Sequence, residues 1–318
     1  MKGLSFASLA YDNKKKRTRR EKFLTEMDQV IPWTKLMEVV RKHYPKAGNG
    51  RQPMPLDRML RIYFLQQWYG LSDPGMEDAL YDIESMRRFA GIDLASDPIP
   101  DETTILNFRH LLEKHKLTEK LFKETKHYLA DKGLMLREGT IVDATIINAP
   151  SSTKNQTRTR DPEMKQTKKG NRWYFGMKAH VGTDTGYGLV HDVVITDAAV
   201  HDSQVMGELL HGEESAIYGD KAYADEGKRT QYELSGIEWH INRKGKRGHP
   251  LSSEDREWNR EQNRIRSKGE HAFRIIKHVW NYQKTRYKGL AKNAAQVFSL
   301  FTLANLYLVR KDLLLLRG

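Results

Sequence analysis

The sequence predicts an α/β protein in which a small all-helical N-terminal domain precedes a mixed sheet flanked by helices. Three observations carry this. Apolar residues recur at helical spacing from about residue 23 to 133. The texture then changes at "GTIVDATIINAP" (139 to 150), where β-branched residues crowd together. Beyond it strand-like and helical stretches alternate, and the chain closes on two long helical patterns, an order that favours a sheet covered by helices.

Taken in order, residues 1–22 read as a basic arm. "KKKRTRREK" (14 to 22) holds seven bases and one acid, and such a block serves either as a solvated tail or as a contact for nucleic acid. In the helical domain, 23–133, Leu56, Met59, Leu60, Tyr63 and Phe64 share one helical face, and "LSDPG" (71 to 75) breaks the pattern. Met76, Ala79, Leu80 and Ile83 make a second face. A further helix follows two prolines, with Asp101 as N-cap and Ile105, Phe108 and Leu112 as its stripe. A helix-turn-helix and plain helix packing both fit this domain, in which DNA binding is expected.

The second domain, 134–318, carries five expected strands, at 139 to 150, 173 to 184, 188 to 200, 214 to 223 and 237 to 244. Helical patterns fill 202 to 210, 225 to 235, 255 to 280 and 293 to 313. The stretches 151–172 and 244–256 are polar, basic and turn-rich, and both read as exposed loops. Loops of that length in a compact domain usually have a function or are disordered.

The formal charge is +13 and the pI about 9.6, which points to a polyanionic partner, nucleic acid first. With no cysteine, disulfides and thiolate metal sites are excluded. The start of the chain lacks the apolar core of a secretory signal, and the longest apolar stretch, "VFSLFTLANLYLV" (297 to 309), is too short to span a bilayer. A soluble, cytoplasmic protein with no membrane partner is the expectation.

Three acids stand out in the second domain. Asp143 lies within the first strand between apolar Val142 and Ala144, where an ionised carboxylate is costly unless something pairs with it. Asp220 follows "AIYG" at a strand end, the side that binds ligands in open α/β sheets. Glu270 sits in a helix among bases, and Asn263, Arg266, Glu270 and Lys277 fall on one face at 3.6 residues per turn. Three carboxylates brought together repel one another and make a seat for Mg²⁺ or Mn²⁺, hard ions that accompany phosphates. Two such ions roughly 4 Å apart serve phosphodiester chemistry. The plain readings are a strand-end or turn acid for Asp143, a cap for Asp220 and a surface ion pair for Glu270. His180, His191, His201 and His271 match no zinc spacing and read as structural or incidental. Trp239 reads as core packing, with stacking on an unpaired base as the other use.

Several ordered motifs carry a resemblance. "IPDETTILNFRHLLEKH", "TIVDATIINAP", "VITDAAVHDSQV", "IYGDKAY" and "RSKGEHAFRIIK" with "RYKGLAKNAAQ" resemble the DDE-type bacterial insertion-sequence transposases, in particular the fifth insertion-sequence family. The resemblance covers most of the chain. It implies a ribonuclease H-like fold and a catalytic, metal-holding triad of Asp143, Asp220 and Glu270. Asp197 and Asp202 compete for the second position, but Asp197 closes the third strand and Asp202 reads as an N-cap. The family places a tyrosine where this chain has Asn263.

The resemblance further implies a DNA transposase with Mg²⁺ or Mn²⁺, two ions, that hydrolyses phosphodiesters at element ends and then transfers the 3′-hydroxyl into target DNA. Arg266, Lys277, Lys221, Tyr223 and Arg274 are the expected DNA contacts. The expected partner is double-stranded DNA, bound by a homodimer at the bacterial nucleoid. A structure-specific endonuclease on the same scaffold, and a non-catalytic DNA-binding protein derived from a transposase, stand as the other readings.

Overall fold

The computed structural model describes residues 11, 13–50, 52–154, 158–245 and 248–317. The first ten residues and Asp12 of the expected arm, and residues 155–157 and 246–247 of the two expected loops, lie outside the described residues. The chain divides into two compact units, Met1–Leu117 with Val309–Gly318, and Thr118–Leu308. This differs from the expected boundary at 133 in two ways: one helix moves to the second unit, and the last ten residues return to the first.

The first unit is helical: α1 (Arg19–Val30), α2 (Trp33–Arg41), α3 (Leu56–Tyr69), α4 (Asp73–Asp82), α5 (Glu84–Ala90) and α6 (Glu102–Lys114). Asp101 caps α6 as expected, accepting from Thr104 N at 2.7 Å. One expectation is corrected. Helix α1 begins inside the supposed arm, because Thr18 and Glu21 form a reciprocal capping box. The expected breaker "LSDPG" does separate α3 from α4, and its second half also starts α4, with Ser72 as N-cap and Pro74 in the first turn. The stripes read from sequence are buried, with Leu60, Phe64, Met76 and Leu80 at 0% exposure. Trp33, Phe64, Trp68 and Phe89 form a ring cluster with centroids 5.4 to 6.2 Å apart.

The second unit opens with α7 (Leu117–Asp131) and, among the described residues, holds six strands: β1 (Gly139–Asn148), β2 (Lys165–Lys169), β3 (Arg172–Asp184), β4 (Val190–Asp197), β5 (Ala216–Gly219) and β6 (Glu238–Ile241). The main order is β4-β3-β1-β5-β6. Strands β4, β3 and β1 are antiparallel, whereas β1, β5 and β6 are parallel. That is the mixed sheet flanked by helices that the sequence predicts. Helix α8 (Glu226–Leu234) makes the crossover between β5 and β6. The helical pattern expected at 202 to 210 is two short 3₁₀ turns instead. Val142, Ile217, Tyr223 and Ile241 lead a core cluster on one sheet face.

The opposite face meets the C-terminal helices. Alternation puts Ile141, Asp143 and Thr145 of β1 on that face. Gly269 packs so closely there that an added Cβ would lie 3.0 Å from Ile141 Cγ2. The long helix expected at 255 to 280 is not uniform. It runs as α9 (Ser253–Arg266), a 3₁₀ turn (Ser267–Gly269), α10 (Glu270–Arg274) and a π turn (Ile275–Val279). Helix α11 (Leu290–Leu308) buries its apolar length, and its Asn305 amide pairs with both backbone groups of Val190 on edge strand β4, at 2.7 and 2.9 Å. Helix α12 (Arg310–Leu315) belongs to the first unit, where Arg310 pairs with Glu26 at 3.1 Å. Among the described residues no helix is long and apolar enough to cross a membrane.

The expected loop 151–172 is corrected. It contains β2, joined to β3 by a two-residue turn at Gly170 and Asn171 with Gly170 at φ 61°. The sequence signal is weak because β2, "KQTKK", has no apolar face. The loop 244–256 ends earlier than expected, since Ser252 and Asp255 form a capping box that starts α9.

Candidate active site

Asp143 is the centre of the site. The parallel register Val142↔Gly219 brings the next residues, Asp143 and Asp220, side by side where β5 ends. Asp143 accepts one hydrogen bond, from Ala144 N at 2.8 Å. Burial pushes its carboxyl up, the Ala144 N–H and the Arg266 guanidinium pull it down, and the charges of Asp220 and Glu270 add to the rise, which together hold it at about 6. Both distant acids are therefore close enough to act on Asp143. Asp220 also caps the 3₁₀ turn Lys221–Tyr223, its Oδ1 accepting from Ala222 N at 2.7 Å, so the capping role and the site role coexist. Glu270 is exposed at the first position of α10.

Arg266 and Lys277 flank Asp143 from the irregular helix. The even α-helical stripe read from sequence does not apply, because a tight turn and then a wide π turn separate them. Arg266 is fixed by a bridge: Asn263 Oδ1 accepts from Arg266 Nη1 at 2.7 Å and from Asn242 Nδ2 at 2.9 Å. Asn242 follows β6 and is missed by sequence reading; its position just past a parallel strand end is the one signal that could have found it. Lys277 Nζ donates to Thr145 Oγ1 at 2.5 Å and to Ile146 O at 2.7 Å, leaving one ammonium proton for a ligand. Burial lowers its pKa to about 8, with the Lys169 charge adding to the fall and Asp143 opposing it.

The other expected contacts separate. Lys221 and Arg274 are exposed. Tyr223 is corrected: it is 1% exposed within the core cluster, its hydroxyl has no hydrogen-bond partner among the described residues, and burial raises its pKa, so its side chain is closed to DNA. Asp197 closes its own turn onto Ala199 N at 2.8 Å. Asp202 is not the expected N-cap, which is His201. It pairs instead with Lys178 at 2.9 Å. His180 is fully buried, bonds Thr196 Oγ1 at 2.9 Å, and is lowered to about 4 by burial. His191 contacts Thr140 and Asp192. Trp239 stacks on Tyr232 at 5.9 Å and packs against the core.

The donor set suits a divalent cation in chemistry: hard carboxylate oxygens, one of them desolvated and under-bonded, with mutual repulsion for a cation to relieve. Among the described residues, however, no three His, Asp or Glu side chains are gathered closely enough to hold one ion together. The acids approach without closing into a cage.

Residues 134–306 match the family model "Transposase DDE domain", and residues 12–111 match "Transposase domain (DUF772)". Among solved structures the chain is similar to a piggyBac transposase synaptic complex with hairpin DNA, covering 92% of this chain and 73% of that one at 9% identity and TM-score 0.47. It is also similar to the Mos1 strand transfer complex, covering 85% and 79% at 11% identity and TM-score 0.27.

Proposed function

Because the chain belongs to the DDE-domain transposases, we propose that Asp143, Asp220 and Glu270 are the catalytic acids with which it cuts and joins DNA. The observation that supports this most is Asp143, a half-buried carboxylate raised to about 6 and acted on by two acids remote in sequence. The family uses divalent metal ions. Here we assign Mg²⁺ or Mn²⁺, two ions, to the three acids, which would have to draw closer together to hold them; when bound they supply Lewis-acid polarisation of the scissile phosphate and a more acidic water.

The chain's own groups do the positioning. Arg266, steadied by Asn263 and Asn242, offers planar donors to a phosphate beside Asp143. Lys277, anchored on β1, offers its remaining proton to a phosphate on the other flank. Lys221 and Arg274 lie on the surface and add positive charge. The reaction is an in-line displacement, first by water at each element end and then by the freed 3′-hydroxyl at target DNA. Two ends must meet, so the working form is a homodimer on DNA, acting at the bacterial nucleoid.

A gel assay with labelled element-end DNA and a target plasmid tests this. Wild type with Mg²⁺ should cut and then join, Ca²⁺ should support binding without cutting, and Glu270→Gln should do neither step. Cutting without joining would point to an endonuclease. Equal cutting by Glu270→Gln would remove Glu270 from the triad.

A further inference from the structure

We propose that the β2–β3 ribbon is a duplex-docking arm that lies in the groove of DNA beside the scissile phosphate; this rests on the DNA-acting role above. Four features support it. The first is geometry. The β1–β3 ladder ends at Asn148↔Gly176, so Arg172–Phe175 pair with β2 and extend beyond β1. A side chain at Gly176 would collide with the Ile147 carbonyl oxygen, which keeps this departure point tight.

The second is charge. From Lys165 to Trp173 there are four bases and no acid. Lys165, Lys168, Lys169 and Arg172 are all exposed. The two acids just upstream are occupied at the ribbon's base: Asp161 accepts from Gly289 N at 2.6 Å and Glu163 from Leu290 N at 2.8 Å, where α11 begins. With Met164 buried at 2% exposure, these contacts root the ribbon firmly, as a docking element requires.

The third is apolar surface. Trp173 is 68% exposed, more than either Tyr81 or Tyr187. Lys168 Nζ rests 5.9 Å from its ring centroid. An indole left in water beside cations suits a partner that is both anionic and rich in flat, apolar edges. The fourth is continuity with the site. Lys169 on the ribbon acts electrostatically on Lys277, which sits against β1 near Asp143.

Duplex DNA is the partner that satisfies all four. A two-stranded ribbon fits the major groove, whose width is about 12 Å. Lysines and arginine on its two strands then reach phosphates on either wall, and Trp173 packs on sugar and base edges.

The test measures the affinity of full-length protein for a labelled mixed-sequence duplex several helical turns long, across low to moderate salt. Wild type should show a steep log–log salt slope. The triple variant Lys165→Ala/Lys168→Ala/Arg172→Ala should flatten that slope by about 2 to 3, at roughly 0.9 for each phosphate no longer neutralised. Trp173→Ala should weaken binding with the slope unchanged, because its contact is not ionic. Circular dichroism and urea midpoints matching wild type establish that each variant is folded, and if the triple is not, Trp173→Ala carries the test. A steep wild-type slope shared by the triple variant, with Trp173→Ala binding as tightly as wild type, overturns the ribbon assignment alone. A flat wild-type slope overturns the DNA-acting role itself.

Discussion

Asp143→Asn should abolish cleavage and yet stabilise the protein in the absence of metal. The Asp143 carboxyl is held at about 6 against an ordinary 3.8. The folded state therefore binds its proton more tightly than the unfolded chain does. Stability from this group is full below about pH 4 and is lost as pH rises towards about 6. At about 1.4 kcal/mol per tenfold change in proton affinity, the loss at neutral pH is about 3 kcal/mol, an upper value because solvent screens a half-buried group. An asparagine keeps an oxygen for the Ala144 N–H and carries no charge to desolvate or repel. The assay is urea unfolding in chelator at about pH 7.5 and about pH 4. The variant should be more stable at the higher pH by about 1 to 3 kcal/mol and level with wild type at the lower. Adding Mg²⁺ should then stabilise wild type, by about 2.7 kcal/mol at a hundredfold excess over its dissociation constant, and leave the variant unmoved. A variant less stable than wild type at about pH 7.5, or stabilised equally at both pH values, would refute the view of Asp143 as a repelled, under-compensated acid.

Three further outcomes follow from the same geometry. Lys277 loses its proton near pH 8 rather than at 10.5, so DNA affinity should fall as pH rises through about 8, whereas folding stability from this group should rise between about 8 and 10.5; a Lys277→Arg variant whose affinity profile is unchanged would remove the contact. Tyr223→Phe removes a hydroxyl with no hydrogen-bond partner among the described residues, so stability should hold or rise by about 1 kcal/mol and DNA affinity should stay level, and a weakened complex in a binding titration would reinstate Tyr223 as a DNA contact. Asn263→Ala and Asn242→Ala each release Arg266 from its bridge; each should lower kcat by about tenfold with little change in KM, and the double variant should be no worse than the poorer single, so additive losses would separate Asn242 from Arg266.

Much of this protein is legible from local rules. The Asp101 cap, the stripe of α6, the β-branched run of β1 and the apolar length of α11 are each decided by a few neighbouring residues. The resemblance adds the fold and the three acids, which periodicity alone does not connect. Other features depend on partners distant in the chain. Tyr223 follows a candidate acid in a basic surface motif, and only the crossing of β1, β5 and β6 closes the core over it. The even stripe from Asn263 to Lys277 assumes one helical geometry, whereas packing of Gly269 on Ile141 and the docking of Lys277 on β1 accompany a tighter turn and a wider one. Strand β2 has no apolar alternation to announce it, since its order comes from pairing with β3.

Capping, periodicity and charge are properties of short stretches, so the elements, the basic surface and the candidate acids could all be read along the chain. Which of those groups meet is a matter of packing. Desolvation and Coulomb forces act through space, and they raise Asp143, loosen the proton of Lys277 and seal Tyr223 only once remote strands and helices are brought together.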